Sequence, residues 1–190
     1  YVYRGISHAA SGSYARAIAD YDTAVLLDPG NALPYYYRGL IYAIKKEYRE
    51  AIEEFKKANR LHDRFADSYF ECGKAYAVLE EYEKAIEQYN HALSVNREHI
   101  PALLFRGEAR YQLKQYKKAQ ADFDSVVQQD DQHIMAYYFK GMIQTKLKRY
   151  ANAIEEYNIT VQLNPGFAEA YYKRGTVHSL QKLNRKAIND

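Results

Sequence analysis

One cysteine, four prolines and nine glycines in 190 residues leave this chain little of what marks a disulfide-stapled or loop-rich protein. A lone Cys72 cannot form an internal disulfide, which fits a reducing compartment and predicts a cytoplasmic, intracellular location. Scarce proline and glycine argue against long loops. No apolar run approaches the roughly 20 residues that a membrane span needs, so no membrane partner is expected. A repeating register already begins at residue 1, so no signal peptide is expected ahead of it. No Gly-x-x-x-x-Gly-Lys loop occurs, and the glycines are too widely spaced for a dinucleotide fingerprint. The histidines, at 8, 62, 91, 99, 133 and 178, lack ligand spacing with cysteine or carboxylate partners. No metal and no cofactor is therefore expected.

Two short matches are weak. Asn158-Ile159-Thr160 fits a glycosylation acceptor but falls in a predicted helix. The stretch from Ser179 to Lys182 fits a serine–lysine nucleophile pattern whose companion motifs are missing. Cys72 has no sequence-evident base and reads as inert. No catalytic constellation emerges, so the chain reads as a non-enzyme. A net charge of +3 argues against a dedicated nucleic-acid binder.

What the chain does have is a period. Hydrophobic residues make up 47%, enough for a core, and tyrosine alone contributes 21 residues. Gly5, Gly39, Gly73, Gly107, Gly141 and Gly175 are spaced by 34. Ala17, Ala51, Ala85, Ala119, Ala153 and Ala187 repeat the spacing, as do the aromatics Tyr21, Phe55, Tyr89, Phe123 and Tyr157. Tyr14, Tyr48, Tyr82, Tyr116 and Tyr150 form a fourth column, which Asn184 breaks. Each unit reads as two helices. Tyr35, Gly39 and Tyr42 share one face of a first helix, "KKEY" turns the chain, and Ala51, Ile52, Phe55 and Ala58 mark the buried stripe of a second. Pro34 and Pro101 suit first helical turns, and Pro29 and Pro165 follow helix ends. The small residues let the paired helices close, and Tyr35 is expected in the core between them. Units that cannot bury their apolar faces alone must stack.

This column set resembles the tetratricopeptide repeat, whose 34-residue period it shares across the whole chain. The resemblance implies an all-α fold, a right-handed α-solenoid of antiparallel helix pairs. With Ala32 as position 1, the repeats run 1–31 (clipped at its start), 32–65, 66–99, 100–133, 134–167 and 168–190 (truncated). The sixth would end about six residues into its second helix, too short to stand alone, and the chain reads as a fragment of a longer array. Position 11 departs from the pattern at His8, Arg110, Gln144 and His178. The helix-ending proline is replaced by Asp63, Arg97 and Asp131, which predicts looser second-helix ends in those units.

A charge ladder runs through the period. Arg4, Arg38, Arg106, Lys140 and Arg174 precede the glycines, and Asp20, Glu54, Asp122, Glu156 and Asp190 lie 16 residues on. The third unit loses both charges together, at Cys72 and Gln88. The pattern predicts one salt bridge within each of five units and none in the third; partly buried pairs of this kind specify geometry more than they add stability.

The resemblance further implies that positions 2, 5, 6 and 9 line a concave face. Position 6 reads Tyr3, Tyr37, Glu71, Phe105, Phe139 and Lys173, and position 9 includes Leu40, Lys74, Glu108 and Met142. These ten residues are the candidate partner-binding face, apolar and aromatic with a charged band at Glu71, Lys74 and Glu108. Such a surface suits an extended peptide or an amphipathic helix. The competing reading packs position 5 (Tyr36, Phe70, Tyr138) and position 6 between adjacent units. The carboxylate clamp of some family members is missing: Val2, Tyr3, Ile6, Tyr36, Tyr37, Leu40, Asp67 and Glu71 occupy its positions. No asparagine ladder stands at position 6.

A second surface is the edge of hairpin turns, with Lys45, Lys46, Arg49, Lys114, Lys117, Lys118, Lys146, Lys148, Arg149, Lys182, Arg185 and Lys186. It reads either as an acidic-protein or phosphate site or as solvated helix ends. The leading function is a non-enzymatic scaffold or adaptor for a partner protein or peptide. The alternative is a regulatory or targeting arm of a larger enzyme. RNA binding is disfavoured by the constant 34-residue period and the aromatic face. Self-association through the incomplete end units is left open.

Overall fold

A computed structural model describes residues 1–189, and the side chains of residues 1–182. Every regular element among them is an α-helix. First helices are α1 (Val2–Ala10), α3 (Ala32–Ile44), α5 (Ala66–Val78), α7 (Ile100–Gln112) and α9 (Ile134–Lys146). Second helices are α2 (Tyr14–Leu27), α4 (Tyr48–Leu61), α6 (Tyr82–Val95), α8 (Tyr116–Gln129) and α10 (Tyr150–Leu163), and α11 (Ala168–Asn189) closes the chain. The fold is an all-α solenoid of helix pairs, divided into two compact units, Tyr1–Ala109 and Arg110–Asp190.

Within each unit the packing follows the columns. Ala17, Ala51, Ala85, Ala119 and Ala153 are fully buried, as are the aromatics Tyr21, Phe55, Tyr89 and Phe123, while Tyr157 is almost so. The glycine column exists because of those rings. A β-carbon at Gly39 would lie 2.7 Å from the Phe55 ring, and at Gly5, Gly73 and Gly141 it would lie 2.4–2.6 Å from Tyr21, Tyr89 and Tyr157. Real atoms do not approach so closely, so glycine here is a slot for a ring. At Gly175 nothing stands within 4 Å.

Tyr35 departs from expectation. It is half-buried, with Arg38 5.4 Å and Lys57 5.9 Å from its ring centroid. The same pairing recurs at Tyr1–Arg4, Tyr137–Lys140 and Tyr171–Arg174, at 5.1–5.4 Å. This column therefore covers the ladder cations through cation–π contact instead of filling the core. The position-5 rings take the core role. Tyr36, Phe70 and Tyr138 sit 6.0, 6.0 and 6.1 Å from Phe55, Tyr89 and Tyr157. Each also meets the residue that closes its own repeat, Phe65, His99 or Phe167, at 4.6–5.1 Å.

The turns obey rules of their own. Within hairpins the chain reverses at a left-handed residue every 34 positions: Gly12 (φ 75°), Lys46 (63°), Glu80 (59°), Lys114 (58°) and Lys148 (59°). At Lys46 the turn amide donates to the Ala43 carbonyl (3.0 Å), and the next amide, of Glu47, reaches back to Tyr42 (2.9 Å). This is a Schellman ending, in which glycine is the usual residue; only the first hairpin supplies it. Between repeats, Asp28, Asn96, Asp130 and Asn164 accept from the amide two residues on at 3.0–3.2 Å. At Asn96 and Asp130 the Asx turn stands where the proline is lost, and α4, which has neither, is no shorter: α2, α4, α6, α8 and α10 all have 14 residues. The sixth repeat differs from expectation. No turn forms near Lys182, and α11 runs unbroken for 22 residues.

Candidate functional site

The charge ladder forms where both partners lie in one unit with described side chains. In the first unit Arg4 reaches Asp20 at 2.6 and 2.9 Å, and Arg38 Nε donates to Glu54 at 2.7 Å. In the second, Lys140 meets Glu156 at 3.3 Å. The hydrogen bond from Arg4 holds the Asp20 carboxyl below its usual range. Arg106 and Asp122 belong to different units, and Asp190 lies outside the described residues.

The ladder also has a rung that sequence reasoning missed. Arg38 additionally bonds Asp22 of the preceding repeat, and Lys140 meets Asp124 at 3.1 Å. Arg106 donates to Asn90 and Arg174 to Asn158, both at 2.7 Å. Each basic residue thus ties its own repeat to the one before. The signal was present as the column Asp22, Lys56, Asn90, Asp124 and Asn158. In the second repeat Lys56 occupies the acceptor position, and the residue it would face, in the third repeat, is the uncharged Cys72. Three charges have changed together. Cys72 is fully buried and its thiol is pushed up to about 12 by desolvation, so it is no nucleophile.

The candidate binding face can now be placed residue by residue. In the first unit Tyr3 is 84% exposed. Tyr37 is half-buried, stacked on Tyr21 of the preceding repeat at 5.9 Å. Phe105 lies 6.4 Å from Tyr89 and 5.5 Å from Phe70. Leu40, Glu71 and Lys74 come together in one cleft of about 420 Å³, completed by Ala43, Ile44, Tyr48, Ala75 and Val78. Lys74 bridges both Glu71 carboxylate oxygens at 2.9 and 3.0 Å, so this pair is neutralised within α5. Ile44 and Val78, which the sequence reading did not single out, are the cleft's exposed apolar walls, at 58% and 56%. They lie four residues beyond Leu40 and Lys74 on the same helical face, a spacing that could have found them. Glu108 makes no ion pair among the described residues, and burial pushes its carboxyl up to about 7.

In the second unit Phe139 stacks on Phe123 of the preceding repeat, at 5.2 Å and 4° between planes. Met142 is half-buried against the Tyr138–Tyr157 cluster, and Lys173 is half-exposed. The position-6 aromatics Tyr37, Phe105 and Phe139 therefore each spend one face on the ring of the repeat before.

A second cleft of about 420 Å³ opens at the inter-repeat edge of the first unit, lined by Gly30, Asn31, Ala32, Leu33, Leu61, His62 and Phe65. Its sequence signal is His62, which breaks the Asx column at the turn between the second and third repeats. Two other histidines cap helices: the imidazole Nδ1 of His99 accepts from the Ala102 amide (3.0 Å) and that of His133 from Ala136 (3.3 Å). No group of three or more histidine, cysteine or carboxylate side chains among the described residues is arranged to hold a metal ion.

The family model "Tetratricopeptide repeat" matches residues 4–64, 47–102, 70–134 and 106–168. The chain belongs to the tetratricopeptide repeat family. The tetratricopeptide fold is a protein–protein interaction scaffold, and its members bind peptides or proteins. Among solved structures, the chain is similar to YrrB, described as a TPR protein with an unusual peptide-binding site, at 25% identity over 92% of this chain and 90% of that one, TM-score 0.84. It is similar in fold to a tetratricopeptide repeat protein from Parabacteroides merdae (22% identity, 99% and 75% covered, TM-score 0.84). The same holds for the first TPR of Spaghetti (RPAP3) bound to an HSP90 peptide (21%, 62% and 93%, TM-score 0.60). No curated protein sequence matches the chain. No helix among the described residues is long and apolar enough to cross a membrane.

Proposed function

We propose that this tetratricopeptide array is a non-enzymatic scaffold that receives a partner peptide or helix on its first-helix face, centred on the cleft of the first unit. One observation carries this reading. Ile44 and Val78 are exposed beside Leu40, Tyr48 and Ala75, while the only charges in the cleft, Glu71 and Lys74, neutralise each other. The cleft therefore offers apolar area with little desolvation penalty, which is how short helices and extended segments are held. The peptide-binding site named for YrrB supports the same use of the fold.

Peptides selected from a displayed library against the whole chain should bind at this cleft. The variant Ile44→Asp/Val78→Asp alters exposed positions only and should retain helicity while weakening the selected peptides at least about tenfold, the scale of a lost hot spot. Equal binding to the variant would remove the cleft from the proposal. Tyr37, Phe105 and Phe139 are poorer probes, because their truncation also unstacks the repeats.

A further inference from the structure

The two units differ sharply in charge. Residues 1–109 carry fourteen Lys/Arg and sixteen Asp/Glu, whereas residues 110–190 carry thirteen and eight. The excess in the second unit is not spread evenly. No acidic residue occurs at 109–121, 132–154 or 170–189. The helices alternate in direction, so these stretches converge. Gln144 near the end of α9 donates to Gln120 near the start of α8 (3.1 Å), and Thr145 meets Tyr157 of α10 (3.4 Å). The hairpin-turn edge of this unit therefore gathers Lys114, Lys117, Lys118, Lys146, Lys148 and Arg149. All six are exposed, and none makes an ion pair among the described residues.

Helix electrostatics account for only part of them, those at the C-terminal ends of α7 and α9. A cation in a last helical turn is favoured by the helix dipole, and Lys146 fits that account. Lys117 and Lys118 stand in the first turn of α8, and Arg149 is the N-cap of α10, where cations are disfavoured; neither helix has an acid in its first turn. The first unit shows the ordinary solution. There Glu50 and Glu83 occupy the first turns of α4 and α6. On the same edge Lys45 pairs with Glu47 at 2.7 Å and Lys84 with Glu81 at 2.6 Å.

We infer that the hairpin-turn edge of the second unit is a docking surface for an acidic, Asp/Glu-rich polypeptide segment, distinct from the apolar cleft. Charge complementarity selects an anion. Five of the six cations are lysines, mobile point charges without the guanidinium fork that grips phosphate in two places. No exposed aromatic ring stands among them to stack a base, since Tyr111 and Tyr116 pack on each other at 5.7 Å. Leu147, 37% exposed, is the one exposed apolar residue among them, too little to anchor the edge in a bilayer.

The test is fluorescence anisotropy of a labelled Asp-Glu-Gly-Ser repeat peptide titrated with the whole chain. Binding should weaken steeply with added salt. Lys117→Gln/Lys118→Gln/Lys148→Gln/Arg149→Gln should weaken it at least about tenfold. Lys45→Gln/Lys46→Gln/Arg49→Gln, on the paired edge of the first unit, should leave it unchanged. Should the quadruple variant fail to fold by circular dichroism, Lys148→Gln/Arg149→Gln alone should still weaken binding severalfold. Absence of peptide binding would overturn the inference. So would tighter binding of a labelled oligouridine, capture by phosphatidylserine vesicles without peptide binding, or equal weakening by the first-unit variant. Ile44→Asp/Val78→Asp should leave this binding intact, so failure here and failure of the cleft remain distinguishable.

Discussion

The first unit and the second are built from the same packing columns and finished with different charges. Gly39 under Phe55 and Gly141 under Tyr157 are the same joint, with a virtual β-carbon 2.7 and 2.6 Å from the ring. The position-5 rings repeat their two contacts in both units within about half an ångström. Yet the hairpin-turn edge is laced with Lys–Glu pairs in one unit and bare of carboxylates in the other. The comparison separates two kinds of constraint. Ring-in-slot packing leaves no freedom, because a close-packed interior cannot absorb a methyl group. The turn edge is solvated, so the fold accepts either charge pattern there, and its composition is set by something other than folding.

The largest test of that division compares two glycines. Gly39→Ala should destabilise the chain by about 1–3 kcal/mol, because the added methyl meets the Phe55 ring. Gly175→Ala, where nothing stands within 4 Å, should instead stabilise by about 0.5–1 kcal/mol, as alanine does inside a helix. Urea denaturation of both variants reads the signs directly. The same sign at both positions would mean that the column does not serve the ring.

Much of this was legible in the sequence, for a physical reason. A 34-residue period forces every structural column to appear five or six times, so Gly5 through Gly175 announce a joint that one copy would not. The within-repeat ladder was legible because Cys72 and Gln88 fail together. The rung between repeats was harder to see. Its acceptors alternate between aspartate and asparagine, which share an oxygen but not a charge, and Lys56 inverts the column. Tyr35 was misplaced because helical spacing defines a shared stripe but not its centre, and the aromatic one residue later took the core. The left-handed turn was hidden because Lys46, Glu80, Lys114 and Lys148 are not residues that signal positive φ. The cleft's walls, Ile44 and Val78, sit at helix ends, where periodicity has no following turn to confirm it.

Glu108 sharpens the comparison from the first unit's side. It is a partly buried carboxylate without an ion-pair partner among the described residues, and burial raises it from 4.5 to about 7. In the unfolded chain it ionises near its ordinary value, so between those two values the folded state holds the extra proton. Stability is therefore lost as pH rises from about 4.5 to about 7, and the full penalty is present above that. Glu108→Gln should gain about 2 kcal/mol at pH 8 and almost nothing near pH 4. Urea midpoints at the two pH values measure this. An equal gain at both would assign the effect to packing.

The smallest expected effect joins the two halves of the comparison. Lys148 holds φ 59° in the hairpin turn between α9 and α10, in a position that Gly12 fills in the first hairpin. A side chain in the left-handed region costs about 1–2 kcal/mol, and glycine gives back about half of the gain through unfolded-state entropy. Lys148→Gly should thus raise stability by about 0.5–1 kcal/mol. The same substitution removes one cation from the edge proposed to dock an acidic segment, so peptide affinity should fall while the thermal midpoint rises. Opposite movement of the two readouts would show the edge carrying charge at a cost to the fold. Parallel movement would return Lys148 to an ordinary turn residue.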